Sequence, residues 1–186
     1  MAAYTLVDSF TESTSASIDL NVTFTKVAQI FTASETYTIA RLGLHLGANP
    51  YPADVSGGIY SVSNGIPNNL LTAFTITVSN FLSSAQVEYA VLDTPIELDS
   101  GTQYAVVLDW ISGAFQVGAG RFFDEDHYPG GEGLSYDSRI PEWGNPFGSG
   151  YLDLYFETYS SYSLTPTPAH EATGIVLFPT LSWTVD

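Results

Sequence analysis

The chain has no cysteine, so neither disulfides nor thiolate chemistry is open to any of its 186 residues. It carries only 4 Lys and Arg against 20 Asp and Glu, a formal net charge of −16. That balance repels phosphates and anionic lipid, which argues against non-specific nucleic-acid binding and disfavours adhesion to an anionic membrane. Charged residues make up 13% of the chain, about half the usual share. The polar surface must therefore be built largely from Ser, Thr, Asn and Gly. No window approaches the ~18 apolar residues of a membrane span, and Met1–Asp8 has neither the basic nor the apolar segment of a secretory leader. Gly-x-Ser-x-Gly, His-Glu-x-x-His and phosphate-loop spacings are absent, and His45, His127 and His170 lie far apart in sequence. The expectation is a protein that is not an enzyme. No stretch repeats apolar residues at i, i+3, i+4 and i+7 for long enough to make a stable helix.

What the chain does have is aromatic and β-branched residues in short alternating runs. Hydrophobic residues account for 45% and aromatics for 14%, a supply that suits sheet packing. Ile18, Leu20, Val22 and Phe24 alternate with polar residues, predicting a half-buried strand with Val27–Ala33 as its extension or hairpin partner. Thr36–Leu46 places Leu42, Leu44 and Leu46 on one face, with His45 between them directed to solvent. Val55–Val62 is a strand whose Gly57 and Gly58 predict a bulge or a close backbone approach. Ser63–Asn69 reads as a turn, and Phe74–Val78 and Ala85–Leu92 alternate again. Pro95–Trp110 is the most apolar stretch: a half-buried strand, a Ser100-Gly101 turn, then Tyr104–Leu108 as a central strand covered on both faces. Ala114–Gly120 and Tyr151–Tyr159 complete the set. Strands every 8–12 residues with turn signals between them predict a sandwich or barrel.

The composition changes after residue 159. Ser160–Ala169 is a Ser/Thr/Pro-rich linker. Gly174–Phe178 and Leu181–Val185 are two short apolar pieces, too little to fold alone. The predicted organisation is a β-sandwich over 1–159, a linker over 160–170, and a C-terminal β arm or truncated second domain over 171–186. Ile175, Leu177, Leu181, Trp183 and Val185 would be the inserted residues of such an arm, added to a neighbouring subunit's sheet or packed in cis.

The region from Arg121 to Gly150 is rich in Gly, Pro, Asp and Glu, and holds the candidate site residues. Asp124, Glu125, Asp126 and Glu132 are hard oxygen ligands of the kind that suits Ca²⁺, without EF-hand spacing; the competing reading is a solvated acidic loop. Tyr128, Tyr136 and Trp143 are candidates for stacking on sugar rings, with Trp143 favoured instead as a plug at one end of the core. Asn21-Val-Thr23 fits a glycosylation sequon placed within a strand.

Several motifs taken together resemble a known family. They are Gln29–Ala33, Tyr37–Leu42, Gly57-Gly-Ile-Tyr60 with Asn64-Gly-Ile-Pro67, Leu98–Leu108, Gly130-Gly131, Trp143 and Asp153–Tyr159. The chain over roughly 20–159 resembles the choice-of-anchor type β-sandwich domains of bacterial surface proteins and phage virion proteins. The segment Pro168–Trp183 resembles the opening of an immunoglobulin-like or fibronectin-like module. The resemblance implies an all-β, jelly-roll-like antiparallel sandwich with no catalytic residues. The expected function is a structural or adhesive module that self-assembles on a virion or at the cell surface as a homo-oligomer or polymer. The alternative is a calcium-supported carbohydrate-binding module with a glycan as partner.

Overall fold

The computed structural model describes residues 3–12, 16–49, 51–79, 85–109, 114–122, 126–146 and 151–162. Among these residues the regular elements are strands: β1 (Ala3–Phe10), β2 (Ala16–Leu20), β3 (Phe24–Thr32), β4 (Tyr37–Asn49), β5 (Ala53–Ser63), β6 (Ile66–Val78), β7 (Gln86–Leu98), β8 (Gln103–Asp109), β9 (Ala114–Phe122), β10 (Gly133–Asp137), β11 (Glu142–Gly144), β12 (Tyr151–Leu154) and β13 (Phe156–Tyr162). They form two antiparallel sheets. The seven-stranded sheet runs β1-β13-β4-β9-β12, with β2 also paired to β9 and β7 to β4; the six-stranded sheet runs β11-β10-β3-β8-β5-β6. The protein is an all-β sandwich.

Alternation along the strands sorts side chains between an inner and an outer face. Val27 and Phe31 of β3, and Tyr104, Val106 and Leu108 of β8, join Leu42, Leu44, Leu46 and Phe156 of the other sheet in one buried cluster. That cluster therefore lies between the sheets, with Phe31 and Phe156 in contact at 5.4 Å between ring centroids. Each such fully buried side chain stabilises the fold by about 1.5–3 kcal/mol before conformational entropy is counted. The intervening residues Ala28, Ile30, Ala105 and Val107 point outward and form a second cluster with Leu134, covered by Tyr60, Val62 and Trp143. Strand β8 is thus central and buried on both faces, as its unbroken apolar run predicts.

Three readings of the sequence change. The strands on either side of the Ser100-Gly101 turn do not pair with each other: β7 pairs with β4 in one sheet and β8 with β3 and β5 in the other. The turn at Asp99–Thr102 carries the chain from sheet to sheet, pinned where the Gly101 N–H donates to the Ala33 carbonyl at 2.8 Å. The alternation from Ile18 to Phe24 is likewise interrupted. Asn21 Oδ1 accepts from the Thr23 and Phe24 N–H groups at 2.8 and 3.3 Å, a side-chain turn that competes with the ladder. Val22 is left 73% exposed, so the sequon lies on a turn rather than in a strand. Finally, the turn after β5 is confined to Asn64 and Gly65, both at positive φ, while Ile66–Asn69 already belongs to β6.

Strands β1, β10 and β11 carry no clear alternation and appear through pairing alone. β1 lies along β13, which extends through Ser160, Ser161 and Tyr162 into the predicted linker. A buried polar tie fixes β1. The Asp8 N–H donates to Thr158 Oγ1 at 3.0 Å, Thr158 Oγ1 donates to the Asp8 carbonyl at 3.2 Å, and the Tyr37 hydroxyl donates to Asp8 Oδ2 at 2.9 Å. Burial pushes the Tyr37 hydroxyl far above the usual phenol range. Gly57 and Gly58 meet the close-approach expectation: a Cβ at either would strike Phe74 or Leu70 and the neighbouring backbone, and the register shifts begin just beyond, between Ile59 and Tyr60.

Candidate functional site

Asp124 and Glu125 lie outside the described residues, as do Ile175, Leu177, Leu181, Trp183 and Val185. Asp126 and Glu132 line a cavity of about 290 Å³ together with Gln103, Asn145 and Asp153. Asp153 is 1% exposed. Its Oδ1 receives a long contact from Gln29 Nε2 at 3.5 Å, and its Oδ2 has no hydrogen-bond partner. Burial, with the charge of Asp126 adding to it, pushes this carboxyl up to about 7; the Gln29 amide, His127 and the Tyr128 backbone pull the other way. Gln29 also ties the two sheets together, its Oε1 accepting from the Leu154 N–H at 2.6 Å. His127 Nδ1 lies 2.9 Å from Glu12 Oε2. Among the described residues, no three His, Cys, Asp or Glu side chains are grouped to hold a metal ion.

The proposed stacking residues separate. The ring of Tyr128 packs on Phe10 and Phe156 at 5.8 and 5.4 Å, against the inter-sheet core. Burial raises its hydroxyl pKa well above the usual value. The glycine turn before β10 holds this loop tightly to β3: a Cβ on Gly131 would collide with the Ile30 carbonyl, and Thr32 Oγ1 donates to the Gly130 carbonyl at 2.7 Å. Tyr136 and Trp143 face each other across β10 and β11, edge to face at 5.5 Å. Trp143 covers the outer cluster of the six-stranded sheet. The aromatic that closes the inter-sheet core is Tyr128; Trp143 does not plug it.

A more developed constellation lies on the outer face of the seven-stranded sheet. Register places Leu6, Tyr159, Arg41 and Val91 in one row across β1, β13, β4 and β7, and Glu157, Gly43 and Tyr89 in the next. Directly opposed residues share a face. The Arg41 guanidinium carbon lies 3.9 Å from the centroid of the Tyr89 ring, 5.2 Å from Tyr4 and 5.4 Å from Tyr159, a threefold cation–π setting. Tyr155 and Tyr159 donate their hydroxyls to Glu157 Oε1 and Oε2, each at 2.6 Å. Burial, reinforced by these bonds to the carboxylate, raises both phenol pKa values. Gly43 leaves the room this requires: a Cβ there would come within 2.6 Å of Glu157 Oε2 and 3.0 Å of the Tyr89 ring.

His45 is on the same face, half-buried, with its ring 5.7 Å from that of Tyr155 and its Nδ1 buried without a partner. Burial lowers its pKa; His45 is on the outward face, as its place between Leu44 and Leu46 predicts, and is partly covered there. Sequence reasoning missed this constellation. The available signal is Tyr155-x-Glu157-x-Tyr159 at period 2, which puts all three on one face, and an arginine amid the leucines of β4 in a chain poor in cations.

Neither a protein-family model nor a curated protein matches this chain.

Proposed function

We propose that the protein is a non-catalytic structural or adhesive module, of the choice-of-anchor kind that its sequence resembles, working on a virion or at a cell surface and assembling with copies of itself. The observation that carries the reading is how the buried polar side chains are used. Asp8, Tyr37 and Thr158 tie β1, β4 and β13, and Gln29 ties β3 to β12. These are bonds that hold strands together rather than groups directed at a reacting atom; Asp153, buried beside the cavity with Oδ2 unpartnered, is the exception. Assembly is assigned to residues 171–186, whose Ile175, Leu177, Leu181, Trp183 and Val185 recur in the pattern of an added strand. Size measurement in solution tests it. The full chain forms an oligomer or polymer, and deletion of 166–186 leaves a folded monomer. An unchanged oligomer after deletion overturns the assembly reading.

A further inference from the structure

We propose that the outer face of the seven-stranded sheet, at Arg41 and Tyr89, is a binding site for a neutral glycan. The inference rests on the reading of the domain as an adhesive module and gives that module a ligand class. Two features of the face identify the ligand.

The first is unpaired hydrogen-bonding capacity held in a fixed place. Arg41 has five N–H donors, and none meets an acceptor among the described residues; its guanidinium is held by the rings of Tyr4, Tyr89 and Tyr159 instead. A guanidinium carries its donors in its own plane, so a ring packed over its face leaves them free to bond. Glu157 next to it is buried, with both carboxylate oxygens taken by tyrosine hydroxyls, and so leaves the Arg41 donors unclaimed. Donors without an acceptor match the oxygens of sugar hydroxyl groups.

The second is apolar surface of the right shape. Tyr89 is 46% exposed on β7, which pairs with β4 along one side. The exposed part of that ring, beyond the guanidinium that covers one face, can take the C–H side of a pyranose at little entropic cost because the residue is already held by Arg41 and Tyr159. A neutral sugar is chosen over an acidic one because the chain carries a net charge of −16 and the adjoining Glu157 would oppose a second carboxylate.

The test is calorimetric titration of the full chain with neutral hexasaccharides of β-1,4-glucose, β-1,4-xylose and β-1,4-mannose, and with hexagalacturonate as the acidic arm. At least one neutral probe binds. Tyr89→Ala and Arg41→Gln each weaken it about tenfold or more, the factor equivalent to ~1.4 kcal/mol, with unchanged melting cooperativity. Trp143→Ala, on the opposite face, leaves the affinity as it was. Silence from every neutral probe, binding of hexagalacturonate alone, or full affinity in Tyr89→Ala overturns the proposal. Loss of self-association in Tyr89→Ala without sugar binding also overturns it and gives the face to a second copy. The outcome is separable from the assembly reading. Neutral sugar binding that survives deletion of 166–186 supports the site whichever way the oligomer behaves, and assembly without sugar binding sinks only the site.

Discussion

The two outward faces of the sandwich carry their aromatic residues in opposite ways. On the six-stranded sheet, Ala28, Ala105 and Val107 leave shallow space that Tyr60, Val62 and Trp143 fill, and the small residues end 0–1% exposed. On the seven-stranded sheet the central position is Arg41, and the tyrosines gather around a charge rather than a hollow. Leu6, Tyr89 and Val91 remain 48%, 46% and 59% exposed beside it. The same alternating pattern thus produces one face whose aromatics are spent on packing and one whose aromatics position a polar group. The residue in the middle of the sheet decides which. A small apolar residue invites its neighbours to close over it, whereas a guanidinium draws the rings around itself and retains its hydration or a ligand.

Both faces depend on the shared inner core, so the largest effect comes from breaking that. Phe156→Ala should cost about 3–5 kcal/mol, seen as a lower denaturant midpoint, and should weaken both faces together. A change confined to one face would show that the sheets fold independently.

Next is the seam between the sheets, at Asp153. Its raised carboxyl binds a proton in the folded state that the unfolded chain has released, so its contribution is full below about pH 3.8 and is lost as the pH rises through about 7. Asp153→Asn should therefore stabilise the protein by about 2–4 kcal/mol at pH 8 and by little at pH 4, read from melts across that range. Equal effects at both pH values would mean that the carboxyl is ionised normally.

The faces themselves come third. Trp143→Ala should destabilise by ~1–2 kcal/mol because it uncovers the outer cluster. Tyr89→Ala should cost within about 0.5 kcal/mol, the usual range for an exposed site. If the two losses are equal, the division between a packing face and an open face fails. The smallest effect is that of His45. Its lowered pKa means that the unfolded chain takes up a proton first, so stability falls as the pH drops below 6.5. His45→Phe should remove that acid-side slope, which runs opposite to the one from Asp153.

How much of this was legible before the structure varied by element. Leu42, Leu44, Leu46 and the run Tyr104–Leu108 declared both their strands and their burial, because period-2 alternation and an unbroken apolar run are local signals. Strands β10 and β11 were hidden inside a Gly-, Pro- and acid-rich region, since they exist by pairing to β3 and to each other. The acidic loop drew attention by composition, yet among its described residues Asp126 and Glu132 are exposed and Tyr128 faces the core. The tyrosines around Arg41 are up to 155 positions apart in the chain (Tyr4 and Tyr159), and no local pattern joins them.

The sequence by itself determined that the chain would be all-β, rich in aromatics, without thiols and strongly acidic, because those properties follow from residue types and their nearest neighbours. Only the tertiary structure decided that β7 and β8 part into different sheets, that Asn21 ends a strand in mid-alternation, and that Tyr4, Arg41, Tyr89 and Tyr159 meet on one face. Register and sheet assignment come from strand pairings between distant segments, whose free energy a local window does not contain.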